Sequence, residues 1–228
     1  MRYLEIIDNL VHKTDKVILF HSATGKDSIC LLDLCSQKFT QVICVFMYFV
    51  PGLGYEERYI KWAEDKYPNC TFIKTPHVAV YSFIKHGYLG IKQDRKQVGT
   101  TLAKIDAQIR KKTGIQWSIY GFKKVDSLNR RLMLNTYPDG IMEKTQKAYP
   151  LMDLKNSDVL NYIRENNLIE PFNYSKTKPS SGCDVSQPEF LAYIRTHYPD
   201  DLKKIFSQYP LAEVNLFKHD SYGKNKAE

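Results

Sequence analysis

Short apolar runs alternate with helix-patterned stretches along this chain, and few architectures accept that alternation. The runs cover residues 17–20, 42–50, 72–73 and 115–120, and the helical patterns lie around residues 29–34, 55–66 and 102–112. A segment apolar throughout, such as Val17, Ile18, Leu19 and Phe20, suits a strand buried on both faces. Strands of that kind separated by helices build a parallel sheet with helices on both sides. The expected fold is therefore α/β: a doubly wound, mostly parallel sheet with a C-terminal helical extension. Such sheets take their ligands beyond the carboxyl ends of the strands, where the strand order reverses. A chain of 228 residues buries one sizeable core without disulfide staples. We expect residues 1–186 to form the sheet domain and residues 187–228 a helical extension, with residues 219–228 polar enough to be disordered.

The first run delivers Ser22, Ala23, Thr24, Gly25, Lys26, Asp27 and Ser28 to the carboxyl edge of the sheet. Ile29, Leu31, Leu32 and Leu34 then continue as an apolar helical face, so Asp27 and Ser28 fall in a first helical turn, where acidic and hydroxyl residues suit exposed amides. Those amides, Gly25 and the Lys26 ammonium can surround an anion. The loop is not a Walker A motif: position 20 is Phe where that motif needs glycine, and Lys26 is followed by Asp27 rather than Ser or Thr.

This segment resembles the PP-loop of the adenine nucleotide alpha hydrolase superfamily, written Ser-Gly-Gly-x-Asp-Ser, with Gly25, Lys26, Asp27 and Ser28 fitting best. A second segment follows the run at 115–120. Gly121, Phe122, Lys123, Lys124, Val125, Asp126, Ser127 and Arg130 resemble the Gly-x-Arg-Arg-x-Glu-Ser-x-x-Arg pattern of phosphoadenosine phosphosulfate (PAPS) reductases and their relatives. Lysines stand at 123 and 124 where the pattern has arginines, which keeps the charge and loses planar bidentate geometry. Farther on, Pro150 with Leu151, Asp158 with Val159, Tyr162 with Ile163, and Gly182 with Cys183 follow the same family's order. Ser157 is the expected cap of a helix carrying Val159, Leu160 and Ile163.

The resemblance implies an enzyme that binds ATP or PAPS and acts at the alpha phosphate or its attached group. Adenylation with pyrophosphate release is the leading expectation. Lys26, Asp27, Lys123 and Arg130 are the expected catalytic residues; Ser22, Thr24, Gly25, Ser28, Lys124 and Ser127 the expected nucleotide-binding ones. Asp27 is expected to hold Mg2+ on phosphate oxygens. The family further implies that backbone groups around residues 46–48, Met47 among them, read adenine.

Cysteine chemistry separates this chain from the reductases it resembles. Cys30, Cys35, Cys44, Cys70 and Cys183 form neither Cys-x-x-Cys pairs nor a secreted framework, so no iron–sulfur cluster or zinc is expected. No cysteine follows Cys183, whereas the reductases carry a catalytic one in a C-terminal Glu-Cys-Gly-Leu-His segment. Cys183 is the one candidate nucleophilic thiol. A thiol-dependent PAPS reductase and a non-catalytic binding protein stay open as alternatives. His77 and His86, between a strand and a helix, are secondary candidates for proton transfer.

A net charge of +8 favours anionic partners: a nucleotide, with nucleic acid also compatible given basic residues at 85–95, 110–112 and 123–131. A homo-oligomer is compatible as well. The longest apolar run is too short to cross a bilayer, and the first segment carries Glu5, Asp8 and His12 rather than a basic start, so the expected setting is cytoplasmic.

Overall fold

The computed structural model describes residues 2–21, 25–137, 139–169, 171 and 184–224, the side chains of 222–224 excepted. After α1 (Arg2–Val11) come β1 (Lys16–His21), α2 (Lys26–Ser36), β2 (Gln41–Tyr48), α3 (Gly54–Lys66), β3 (Cys70–Pro76) and α4 (Val78–His86). The second half contains α5 (Leu102–Thr113), β4 (Ser118–Tyr120), α6 (Leu128–Leu134), β5 (Ile141–Met142), β6 (Lys147–Ala148) and α7 (Asn156–Glu165). It ends on α8 (Pro188–His197), α9 (Pro199–Gln208) and α10 (Ala212–Lys224).

Six strands form one sheet in the order β3-β2-β1-β4-β6-β5. All neighbours are parallel except the edge strand β5, which runs antiparallel to β6. The chain builds outward from β1 through β2 to β3 and then returns to place β4 on the other side of β1. The strand order therefore reverses between β1 and β4, the crevice where a doubly wound sheet takes its ligand. Side chains of β1 alternate between two cores. Val17 and Leu19 pack with α1, α2 and α3, while Ile18 and Phe20 pack with Ile105 and Ile109 of α5. Burial on both faces accounts for the unbroken apolar run in the sequence.

Local differences from the sequence reading have physical causes. The run at 115–120 pairs as a strand only from Ser118, because Gly114 at φ 74 ends α5 in a left-handed turn and residues 115–117 carry the chain back to the sheet. Strands β5 and β6 have two residues each, too few to show any alternation. Ser157 does not cap α7; it lies inside the helix, and the Asp158 carboxylate instead accepts the Lys155 backbone N–H at 2.8 Å. Residues 219–224, expected in a disordered tail, continue α10.

Helices α8 to α10 share the core of the sheet: Phe190, Ile194, Ile205 and Tyr209 are fully buried in the cluster that holds Leu19. One contact joins the two parts electrostatically. The Asp201 carboxylate accepts the backbone N–H groups of Gly54 and Tyr55 at 2.7 and 3.0 Å, capping α3, whose own N-cap residue Leu53 has no acceptor. Among the described residues no helix is long and apolar enough to cross a membrane.

Asp33 anchors α2 to its neighbours. Its buried carboxylate accepts hydrogen bonds from the hydroxyls of Tyr67 at 2.8 Å and Tyr162 at 2.7 Å and from the Gln37 amide at 2.8 Å. Asp33→Ala leaves those donors unpaired and should lower the unfolding free energy by about 2–4 kcal/mol in urea titration, with Tyr162→Phe costing about 1 kcal/mol.

Candidate active site

A cavity of about 190 Å³ opens where β1 and β4 part. Phe20, Met47, Leu102 and Tyr120 form its apolar wall, and Asp27, Ser28, Asp126 and Arg130 its polar wall. Each wall draws residues from both sides of the reversal point: Phe20 and Met47 with Leu102 and Tyr120 in one, Asp27 and Ser28 with Asp126 and Arg130 in the other.

Gly25 caps α2 with φ −76 and ψ 143, and no side chain hydrogen-bonds the cap. The first-turn amides and the positive end of the helix dipole thus lie at the cavity wall that Asp27 and Ser28 supply. Across the crevice, Gly121 lets the end of β4 approach this turn. A Cβ there would sit 3.3 Å from the Asp27 Cβ and 3.4 Å from Leu31 Cδ1.

Lys123 closes the crevice electrostatically. Its side chain is fully buried, with Nζ 2.7 Å from Asp27 Oδ1 and 3.1 Å from Asp126 Oδ1. Asp126 also accepts the Lys123 backbone N–H through Oδ2 at 2.9 Å, so one carboxylate fixes both ends of that residue. Lys26, buried as well, brings Nζ within 3.3 Å of Asp27 Oδ2. Asp27 therefore has an ammonium near each oxygen while its side chain stays partly exposed to the cavity.

Arg130 differs from the two lysines. Its guanidinium carbon lies 3.2 Å from the centre of the Phe122 ring, and Nη1 is buried without a hydrogen-bond partner among the described residues. Burial pulls its pKa down, against the upward effect of Asp126, Tyr149 and Asp27. A buried, unpaired guanidinium nitrogen beside a cavity is a ready donor to an anion.

Of the residues singled out in the sequence, Asp27, Ser28, Met47 and Arg130 line this cavity, with Gly25 at the adjoining helix cap and Lys26 and Lys123 behind Asp27. Lys124 is directed elsewhere, pairing with Asp153 at 2.7 Å. Ser127 caps α6, accepting the Arg130 backbone N–H at 3.2 Å. Ser22, Thr24 and Cys183 lie outside the described residues. The sequence reading missed Asp126 as a lining residue, although it stood three positions after Lys123 in the same motif. It also missed Phe20, Leu102 and Tyr120, which read as ordinary core residues.

The other candidates have structural positions. His77 caps α4, its Nδ1 accepting the Ala79 N–H at 3.2 Å, and stacks on Phe49. His86 is exposed. Cys30, Cys35, Cys44 and Cys70 are free and buried, and burial pushes the first three thiols up in pKa, away from nucleophilic thiolates. His21, directly before the loop, is fully buried among Phe46, Tyr59 and Phe72 and is pulled down to about 3 by burial. Glu56 on α3 is pushed up to about 8 by burial, although the Tyr55 hydroxyl donates to it at 3.0 Å.

Residues 17–185 match the model of the phosphoadenosine phosphosulfate reductase domain family. No curated protein matches the chain. Among solved structures, it is similar to the U34-tRNA thiolase NcsA from Methanococcus maripaludis, with 16% identity and a TM-score of 0.45 over 92% of this chain and 79% of the thiolase. It is also similar to the NH3-dependent NAD synthetase from Campylobacter jejuni in complex with nitrate, with 14% identity and a TM-score of 0.45 over 94% of each chain. The thiolase structure carries a 4Fe-4S cluster, which corrects the expectation that neither cluster nor zinc belongs with such a chain. Cysteine spacing detects ligands that are close in sequence and is blind to those that converge from distant segments.

His21 and Glu56 set opposite pH slopes. Unfolded His21 titrates near 6.5 and folded His21 near 3, so the unfolded chain binds the extra proton between those values and stability falls on acidification below 6.5. Folded Glu56 keeps its proton to about 8 whereas the unfolded carboxyl loses it near 4.5, so stability falls as pH rises through that window. The two cancel between 4.5 and 6.5, and Glu56 alone should cost about 1–2 kcal/mol from pH 6.5 to 8. Urea titrations of Glu56→Gln should show that alkaline decline removed relative to the parent, with the acid decline beginning near pH 6.5 instead of near 4.5.

Proposed function

The chain belongs to the phosphoadenosine phosphosulfate reductase domain family, and on that premise we propose an enzyme that binds ATP in the β1–β4 crevice and transfers its adenylyl group with release of pyrophosphate. The observation that carries this reading is the cavity itself. One wall is apolar and suits a purine; the other joins the uncapped start of α2 to the unpaired Nη1 of Arg130. Met47, at the end of β2, stands on the purine side.

The reaction is an in-line displacement. An acceptor oxygen bonds to the alpha phosphorus while the bond to the bridging oxygen breaks, and pyrophosphate leaves with the electron pair. Arg130 and the α2 amides neutralise charge that develops on the phosphate oxygens. Lys26 and Lys123 hold Asp27 and thereby fix the first turn of α2. Asp27, on the cavity wall, would be the residue to hold a Mg2+ ion, which would supply further neutralisation of phosphate charge.

The acceptor belongs to sulfur or nucleic-acid modification chemistry. Exposed Lys92, Arg95 and Lys96 precede cavity-lining Leu102 on one segment, so a polyanionic acceptor reaching the cavity would meet their charge. Burial raises the pKa of Cys30, Cys35 and Cys44, which makes these three poor reducing thiols.

Equilibrium binding of labelled ATP and pyrophosphate release over a panel of acceptors test the proposal. Arg130→Met should weaken ATP binding about tenfold with little change in stability, by loss of a charge-assisted hydrogen bond. Lys123→Met should instead lower stability by about 3–5 kcal/mol, because it leaves two carboxylates facing each other without their buried cation. Unaltered ATP binding in Arg130→Met, or sulfite release from PAPS with a thiol donor and no pyrophosphate from ATP, would overturn the reading.

A further inference from the structure

A second cavity, of about 350 Å³, lies between α1, α2 and α7. Helix α2 separates the two: Asp27 and Ser28 line the first, and Cys30 lines the second. Their chemistry is opposite. Tyr3, Cys30, Leu154 and Tyr162 supply the apolar lining here, while Asp158, Asn161 and Glu165 supply the polar groups. No lysine or arginine lines the cavity, in a chain whose net charge is +8.

The two tyrosine rings meet edge to face, with centroids 6.3 Å apart and planes at 89°, and Tyr3 is buried. Tyr162 is held by its hydroxyl, which donates to Asp33 at 2.7 Å. The Asp158 carboxylate accepts the Lys155 N–H at 2.8 Å and the Ser157 hydroxyl at 3.2 Å, contacts that fix its position and leave its charge. Glu165 is exposed and makes no ion pair among the described residues. The Tyr3 hydroxyl is raised in pKa by burial first, then by Cys30 and Glu165, which places that carboxylate's charge within reach of the ring. Burial keeps the Cys30 thiol neutral, so it contributes shape and polarizability rather than charge.

We propose that this cavity is a binding site for a small organic ammonium ion with an aromatic or branched apolar body. Carboxylates beside an apolar, aromatic lining with no cation favour a bound cation by charge, and they reject an anion of the same shape. The apolar body displaces water from Leu154, Cys30 and the ring edges, and the ammonium lies toward Glu165 and Asp158. This site is independent of the nucleotide reading, because its lining shares no residue with the β1–β4 cavity.

Calorimetric titration of the full chain without nucleotide tests it, using phenethylamine, phenethyl alcohol and phenylacetate at pH 7 and low salt. Phenethylamine should bind saturably and at least about tenfold more tightly than phenylacetate, with the alcohol between them. Glu165→Gln, at an exposed position, should weaken phenethylamine about fivefold without changing the melting temperature. Asn161→Trp, also exposed, should block the opening and abolish binding. Equal affinity for phenylacetate, or no loss in both variants, would overturn the assignment. Tighter binding of a tetralysine peptide than of phenethylamine would overturn it too, since the site would then serve a macromolecular cation.

Discussion

A buried lysine held between two carboxylates sets the geometry of this protein's crevice. Lys123 takes Asp27 from the first turn of α2 and Asp126 from the segment after β4, and it is excluded from solvent while doing so. Desolvating such a group is costly, and the cost is offset only when the opposite charges are close and the remaining polar atoms are bonded. The first condition holds at 2.7 and 3.1 Å, and Asp126 also accepts the backbone N–H of Lys123, but Lys123 Nζ and Asp27 Oδ1 meet as charges without hydrogen-bond geometry. The pair therefore constrains how far β1 and β4 can separate beyond the point where their hydrogen bonding ends. Gly121 permits the approach, since any side chain there would crowd Asp27 and Leu31.

That constraint divides labour among the cations. A positive charge consumed in an internal pair organises structure, whereas one left unpaired and buried is available to an anion. Lys26 and Lys123 are of the first kind, and Arg130, stacked on Phe122 with Nη1 unpartnered, is of the second. Helix α2 lies between two cavities of opposite character, an anion-directed one at its first turn and an acidic, aromatic one beside Cys30. Asp33, farther along the same helix, ties it to Tyr67 and Tyr162, so both cavities are built against a helix with little freedom to shift.

Much of the fold was legible because its signal is physical. Strands buried on both faces must be apolar throughout, and β1, β2 and the start of α2 fall where the sequence shows unbroken runs and a turn. Two-residue strands have no period, so β5 and β6 were invisible. Charged motif positions marked the polar wall, but type and spacing did not reveal which lysine would be buried: Lys123 pairs inward and Lys124 turns to Asp153. Phe20, Leu102 and Tyr120 were unreadable as site residues because an apolar residue facing a ligand and one facing a core have the same chemistry.

The most direct measurement is a crystal structure of the protein with a non-hydrolysable ATP analogue, alpha,beta-methylene ATP. The account predicts phosphate oxygens within hydrogen-bond distance of Arg130 Nη1 and of the first amides of α2. It also predicts the purine against Phe20 and Met47, and the Lys123–Asp27 pair intact. A nucleotide bound outside the β1–β4 crevice, or phosphates that leave Arg130 without a contact, would contradict it.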